Sequence, residues 1–314
     1  MRRGALLENM HRGRVAVCDQ EGELVEAVGG AEGYAYARSS AKPFQAIPLV
    51  LSGAADALDL TDEELAVACA SHNAERAHLA AARSILRKAN LSERDLQNGA
   101  HPPLYAPAAV ELARSGEEPR AIHGNCSGKH AGMLAVCVHE GWETASYRDP
   151  QHPLQRWILE IVATICGMEE DDVVLSGDGC GVPAFGLPLK NLATGFARLA
   201  TGEGLPVDLA EAAERVRGAM RGHPFMVAGT GRFDTAVMRG TDLVCKSGAE
   251  AVYAAGSPAG WGLALKISDG ASRALRPAAF AALARRGVEV PHEREYRPVR
   301  DLHGEAVGEV EPLF

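Results

Sequence analysis

The apolar pattern of this chain changes period twice, and that alone narrows its fold. Residues 12 to 19, RGRVAVCD, and 24 to 29, LVEAVG, flank the turn signal Gln20-Glu21-Gly22, which predicts a β-hairpin near the amino terminus. From Ser40 to about residue 290 helical periodicity dominates: PFQAIPLVL, DEELAVACA behind a capping-box pattern from Thr61 to Glu64, AERAHLAAARSILRKAN, HAGMLAVCVHE, PLQRWILEIVATIC, LAEAAERVRGAM and RPAAFAALARRG. Strand-like runs return at 243 to 248, LVCKSG, and 262 to 269, GLALKISD, and the terminal VRDLHGEAVGEVEP reads as another turn-linked pair. Strands at both ends around a helical middle predict an α+β architecture. Its antiparallel sheet would come from roughly 1–35 and 240–314, and its mostly helical region from roughly 40–235. No repeat, low-complexity tract or linker divides the chain, so 1–314 is read as one unit.

Composition excludes some classes of function. With 314 residues, 46% of them apolar, the chain is long enough to bury a large core. A net charge of -9 and the lack of a Lys/Arg-rich block argue against a nucleic-acid surface and for a small-molecule partner. The opening MRRGALLENMHRGR lacks the apolar core of a signal peptide, and no stretch reaches the length of a membrane span, so a cytoplasmic protein is expected. Seven dispersed cysteines, an odd number in a large chain, are expected to be reduced thiols.

Within YARSSAKPFQ, residues 36 to 45, Ser39 and Lys42 are spaced i, i+3 and are expected to share a helix face. With Ser40 as N-cap, Pro43 falls at the third helical position, where its missing N–H has no intrahelical partner. The positive end of a helix favours a developing oxyanion and disfavours an ammonium, so a partly buried lysine there can take the proton of a serine. S-x-x-K alone also describes an ordinary capped helix start. Two companions make it more specific: Ser71-His72-Asn73 has the S-x-N form and Lys246-Ser247-Gly248 the K-[ST]-G form. They follow in the order found in penicillin-interacting serine enzymes.

Two Gly-rich polar segments interrupt the helical pattern, HGNCSGKHAGM at 123 to 133 and SGDGCGVPAFG at 176 to 186. The first sets Cys126 and Lys129 at i, i+3 beside His123 and His130; the second holds Asp178 and Cys180. Two thiolates with a nitrogen or carboxylate suit zinc and leave a fourth position for water. With no C-x-x-C or H-E-x-x-H motif, buried structural cysteines or a redox pair stay open as alternatives.

Taken together, RSSAKPFQ, SHNAE, HGNCSGKHAGML, SGDGCGVP, GTGRFDT and KSGAE resemble the asparaginase II family, the rhizobial-type, class 3 L-asparaginases, nearly end to end. The resemblance implies a serine-β-lactamase-like fold, shared with penicillin-binding enzymes, that hydrolyses L-asparagine to aspartate and ammonia, usually as a homodimer. It also implies two Ser/Lys tandems, Ser39 with Lys42 and Ser71 with Lys246, and zinc on Cys126, Lys129 and Cys180 with Asp178 holding the metal's water. Lys129 would have to lose its proton to bind.

On this reading Ser39, deprotonated by Lys42, attacks the carboxamide carbon, while Ser71 and Lys246 relay the proton to nitrogen and then activate water. The reverse assignment makes Ser71 the nucleophile. Arg232 is the candidate for the substrate α-carboxylate, with Asp178 or Glu250 for its ammonium and Asn73 completing the binding set. A local ion pair of Arg232 with Asp234 is the structural alternative. Zinc is expected to shape the pocket or hold a substrate group through bound water. The competing functions are a β-lactamase, esterase or penicillin-binding enzyme, and a non-catalytic zinc or amino-acid binder.

Overall fold

The computed structural model describes residues 1–291 and 298–314. Its central sheet has five antiparallel strands in the order Leu24–Val28, Gly13–Asp19, Trp261–Ile267, Val252–Ser257, Val244–Gly248. The predicted hairpin is its first pair, closed by Gly22 at φ 92°. Residues from both ends of the sequence therefore do meet in one sheet, as expected.

The outermost runs do not join it. Arg2–Arg3, Leu6–Leu7, Pro298–Arg300 and Ala306–Glu309 form a separate four-stranded sheet. Residues 292–297, part of the stretch expected to build the sheet, lie outside the described residues. The helical middle is also interrupted, by a three-stranded sheet of Tyr34–Tyr36, Pro183–Pro188 and Val174–Gly177.

The two faces of the central sheet differ in side-chain size because neighbouring strands keep register. Cys18, Ala16, Gly262, Ala264, Gly256 and Ala254 share one face. The helix Leu189–Thr201 lies on it at backbone contact: a Cβ at Gly256 would sit 1.9 Å from the Phe196 carbonyl oxygen, and one at Gly262 1.9 Å from that of Ala193. On the other face Tyr253 meets Phe233 with ring centroids 5.0 Å apart, and Phe233 meets Phe280 of the helix Ser272–Arg285 at 5.1 Å. With both faces covered, Val252–Ser257 is continuously buried and shows no alternation, which is why VYAAGS gives no strand signal. The Leu189–Thr201 helix buries a bulky stripe of its own, Leu189, Leu192, Phe196 and Leu199 at i, i+3 and i+4 spacing, and meets the sheet through its small residues.

Among the predicted helices, Asp62–Ala68 starts with the expected box: Glu64 N–H donates to Thr61 Oγ1 and Glu64 Oε2 accepts from Thr61 N–H. All seven cysteines are free thiols. No helix among the described residues is long and apolar enough to cross a membrane.

Replacing Gly256 or Gly262 by Val should destabilise the protein by about 3 kcal/mol or more, since both partners at the contact are backbone and cannot rotate away. Gly218→Ala, in open space on the helix Val207–Gly222, should instead be neutral or stabilising by up to about 1 kcal/mol. Urea unfolding midpoints separate the two cases; equal midpoints would contradict the close-contact account.

Candidate active site

A 3-10 turn, Arg38–Ala41, runs directly into the helix Lys42–Ala46. Ser40 is not the N-cap. Its hydroxyl donates to Ala37 O at 2.6 Å, Ala41 occupies the cap, and Pro43 falls at the second helical position, still within the first turn. Ser39 is half-buried in the 3-10 turn.

Lys42 is fully buried, and its amine does not pair with Ser39 as expected. Nζ contacts Ala70 O at 2.6 Å, Ser71 Oγ at 2.9 Å and Cys126 Sγ at 3.1 Å. These three contacts use all the directions an ammonium offers. Burial, assisted by Lys129 and Lys246 and opposed by Cys126, pushes its pKa down to about 8.

Close helix packing brings Ser71 within reach. A Cβ at Gly128 would lie 2.2 Å from Val67 O, so only glycine lets the helix Ser127–His139 press on the end of Asp62–Ala68, just ahead of Ser71. His72 locks the same junction. Its Nδ1 accepts Ala74 N–H at 3.1 Å, so Nε2 carries the proton and donates to Ser127 Oγ at 2.9 Å.

Beside Lys42 lies the thiol cluster. Cys126 Sγ donates to Asn125 Oδ1 at 3.0 Å, and Lys129 Nζ donates to Cys180 Sγ at 3.1 Å. The neighbouring Cys180 thiol, with Lys42 and Lys129 nearby, holds the Cys126 thiol well below its ordinary range despite burial. Burial would lower the Lys129 pKa, but the two sulfurs and Asp178 raise it. Arg38 pairs with Asp178 at 2.9 Å. The donor set for a metal is thus two sulfurs and one amine, contiguous and buried, soft and borderline donors of the kind zinc takes. No group of three or more His, Cys, Asp or Glu side chains that could hold a metal occurs among the described residues, so this set depends on Lys129.

Lys246, also fully buried, does not pair with Ser71. Its Nζ contacts Asp234 Oδ2 at 3.1 Å and Ser247 O at 2.8 Å. Gly248 lets this strand approach the 3-10 turn, since a Cβ there would meet Ala37 O at 2.8 Å. Arg232 Nη1 donates to Asn73 Oδ1 at 3.0 Å, and Asn73 Nδ2 donates to Glu75 Oε1 and Thr230 O. Asp234 contributes to the electrostatics of Arg232, but the hydrogen-bonded partner of the guanidinium is Asn73.

Ser71, Lys42 and Cys126 are therefore linked by direct contacts, as are Lys129 and Cys180 beside them, with Asp178 reaching Lys129 through charge, and Asn73 joins Arg232 one residue beyond His72. Glu250 is not brought in. It sits exposed at φ 59° on the turn after Gly248, against Gly270, with its carbonyl accepting from Lys266. Sequence reasoning assigned no role to Arg38, His72 or Glu75; the unusual φ of 49° at Arg38 is invisible in sequence, whereas His72 lay inside a motif already singled out.

The L-asparaginase II family model matches residues 1–312. No curated protein matches the chain. Among solved structures, Mglu is 16% identical with a TM-score of 0.43, the match covering 82% of this chain and 61% of that one. A β-lactamase from Mycobacterium bovis is 11% identical at 0.41, covering 82% and 86%. A probable glutaminase from Bacillus subtilis complexed with 6-diazo-5-oxo-L-norleucine is 14% identical at 0.36, covering 81% and 76%. The chain spans about three fifths of the length of Mglu. At these scores the structural likenesses carry no argument about this chain.

Burial alone would raise the Asp234 carboxyl pKa, but Lys246, the Ser247 donors and Arg232 hold it below its ordinary value. Its stabilising contribution is thus present above the unfolded value, near pH 4, and is lost as pH falls through the lower folded value. Asp234→Asn, which leaves Lys246 buried without its counter-charge, should cost about 3–5 kcal/mol near neutral pH. Urea midpoints measured against pH should show the gap to wild type narrowing below about pH 4; a gap constant with pH would contradict the assignment.

Proposed function

Since the chain belongs to the L-asparaginase II family, we propose that it is an L-asparagine amidohydrolase, converting L-asparagine and water to L-aspartate and ammonia through an acyl-serine. The observation that carries this reading is the buried Lys42 amine 2.9 Å from the Ser71 hydroxyl, the geometry of a serine paired with its base. It favours the reverse of the assignment expected from spacing: Ser71 is the nucleophile and Lys42 its base.

Ser71 Oγ gives its proton to Lys42 Nζ and bonds to the carboxamide carbon. The C–N bond then breaks, the proton passes to nitrogen, and ammonia leaves an ester on Ser71. Water adds to that ester, its proton returns through Lys42, and aspartate is released with the serine restored. Ser39, at the 3-10 turn directly before Lys42, is the second hydroxyl of the site and a candidate relay. Arg232, held through Asn73, remains the candidate for the α-carboxylate, and Asp178 for the ammonium.

Cys126, Cys180 and Lys129 would hold zinc, which when bound supplies a Lewis-acidic centre that orders a substrate group or a water. The chain is proposed to act in the cytoplasm as a homodimer, in keeping with its family.

Ammonia release from L-asparagine, and separately from L-glutamine, tests the reaction. Ser71→Ala and Lys42→Met should each lower kcat/KM by about 10³-fold or more, while Ser39→Ala keeps a larger share. Loss with Ser39→Ala but not Ser71→Ala would restore the first assignment. Elemental analysis of purified protein should find about one zinc per chain, lost in Cys126→Ser and Cys180→Ser; equal metal content in all three would remove zinc from this site.

A further inference from the structure

Burying the Lys246 ammonium requires a counter-charge, and one side chain provides it. Asp234 is 1% exposed and sits in the first turn of the helix Phe233–Gly240. One oxygen contacts Lys246 Nζ at 3.1 Å, both oxygens accept Ser247 N–H at 3.1 and 3.0 Å, and Ser247 Oγ donates to Oδ1. The carboxylate thus grips the lysine and the next residue of the same strand. The Ser247 carbonyl is a further acceptor for the ammonium.

We infer that Asp234 is a positioning residue that fixes Lys246 as a permanent cation, so that Lys246 stabilises negative charge on the bound substrate and is not a second base. The inference rests on the amidohydrolase reading. It divides the labour between two buried lysines by what they touch. Lys42 meets a serine hydroxyl, a carbonyl and a thiol, with no carboxylate in hydrogen-bond contact among the described residues, and so suits proton transfer. Lys246 is tied to a carbonyl and, in a fully buried salt bridge at 3.1 Å, to the Asp234 carboxylate. The two amines are near enough for Lys246 to act electrostatically on Lys42. A fixed charge at that distance preorganises the site without moving a proton.

Rescue of Lys246→Ala by small cations tests this. Millimolar methylammonium, and equally guanidinium, which keeps its proton at any working pH, should raise ammonia release by about tenfold or more and raise the thermal midpoint. In Lys246→Ala/Asp234→Asn neither cation should change either readout. Should that double variant not fold, Lys246→Ala/Asp234→Glu replaces it, and rescue there should fall by about tenfold because the carboxylate is displaced by one methylene. Rescue by methylammonium but not guanidinium would show that Lys246 is a base, and rescue independent of Asp234 would remove its positioning role; either overturns the inference. If the wild type released no ammonia from asparagine or glutamine, the amidohydrolase reading would fall instead, and the thermal shift alone would still decide whether Asp234 holds a cation.

Discussion

Three lysine side chains, Lys42, Lys129 and Lys246, lie buried within one small region, and the rest of the site is arranged to tolerate them. An ammonium moved out of water costs several kcal/mol unless partners replace its hydration. Each lysine has a different solution. Lys246 has a carboxylate, Lys129 has two sulfurs with Asp178 behind them, and Lys42 has a carbonyl, a hydroxyl and a thiol. The three differ accordingly: the lysine with no carboxylate partner among the described residues is the one beside the Ser71 hydroxyl.

Backbone approach makes the crowding possible. Gly128 against the Val67 carbonyl, Gly248 against the Ala37 carbonyl, and Gly256 and Gly262 against the Leu189–Thr201 helix remove side chains where elements must touch. The first two bring the serine loop, the thiol helix and the lysine strand together; the other two hold the sheet and the helix that support them. Phe44, two residues after Lys42, packs edge-on against Phe196 of that helix with centroids 5.4 Å apart, so the turn that carries Lys42 is seated on the same layer.

Much of the architecture was legible from periodicity. The amino-terminal hairpin, the strands around Lys246 and Leu263, and most long helices stand where the pattern put them. The strand Val252–Ser257 was not legible, because small residues buried on all sides lack the contrast that periodicity needs; the helix Leu189–Thr201 was not singled out, although Leu189, Leu192, Phe196 and Leu199 give it a helical stripe. The residues that meet at the candidate site could also be singled out, since Ser71, Lys42, Cys126, Lys129 and Cys180 each lie in a motif. Their pairing could not. The i, i+3 rule describes neighbours on one surface, whereas Lys42 extends its four-carbon arm away from its own turn to acceptors in the loop at 70–71, a choice fixed by helices distant in sequence.

Val244–Gly248 lies at the rim of the central sheet, where a strand ordinarily offers free backbone groups to any passing chain. Here the outward N–H of Ser247 is taken by Asp234 and its carbonyl by Lys246. The ion pair that furnishes the site therefore also closes the border of the sheet. Loss of the Asp234 carboxylate would free a backbone N–H on that rim at the same stroke as it strips Lys246 of its counter-charge.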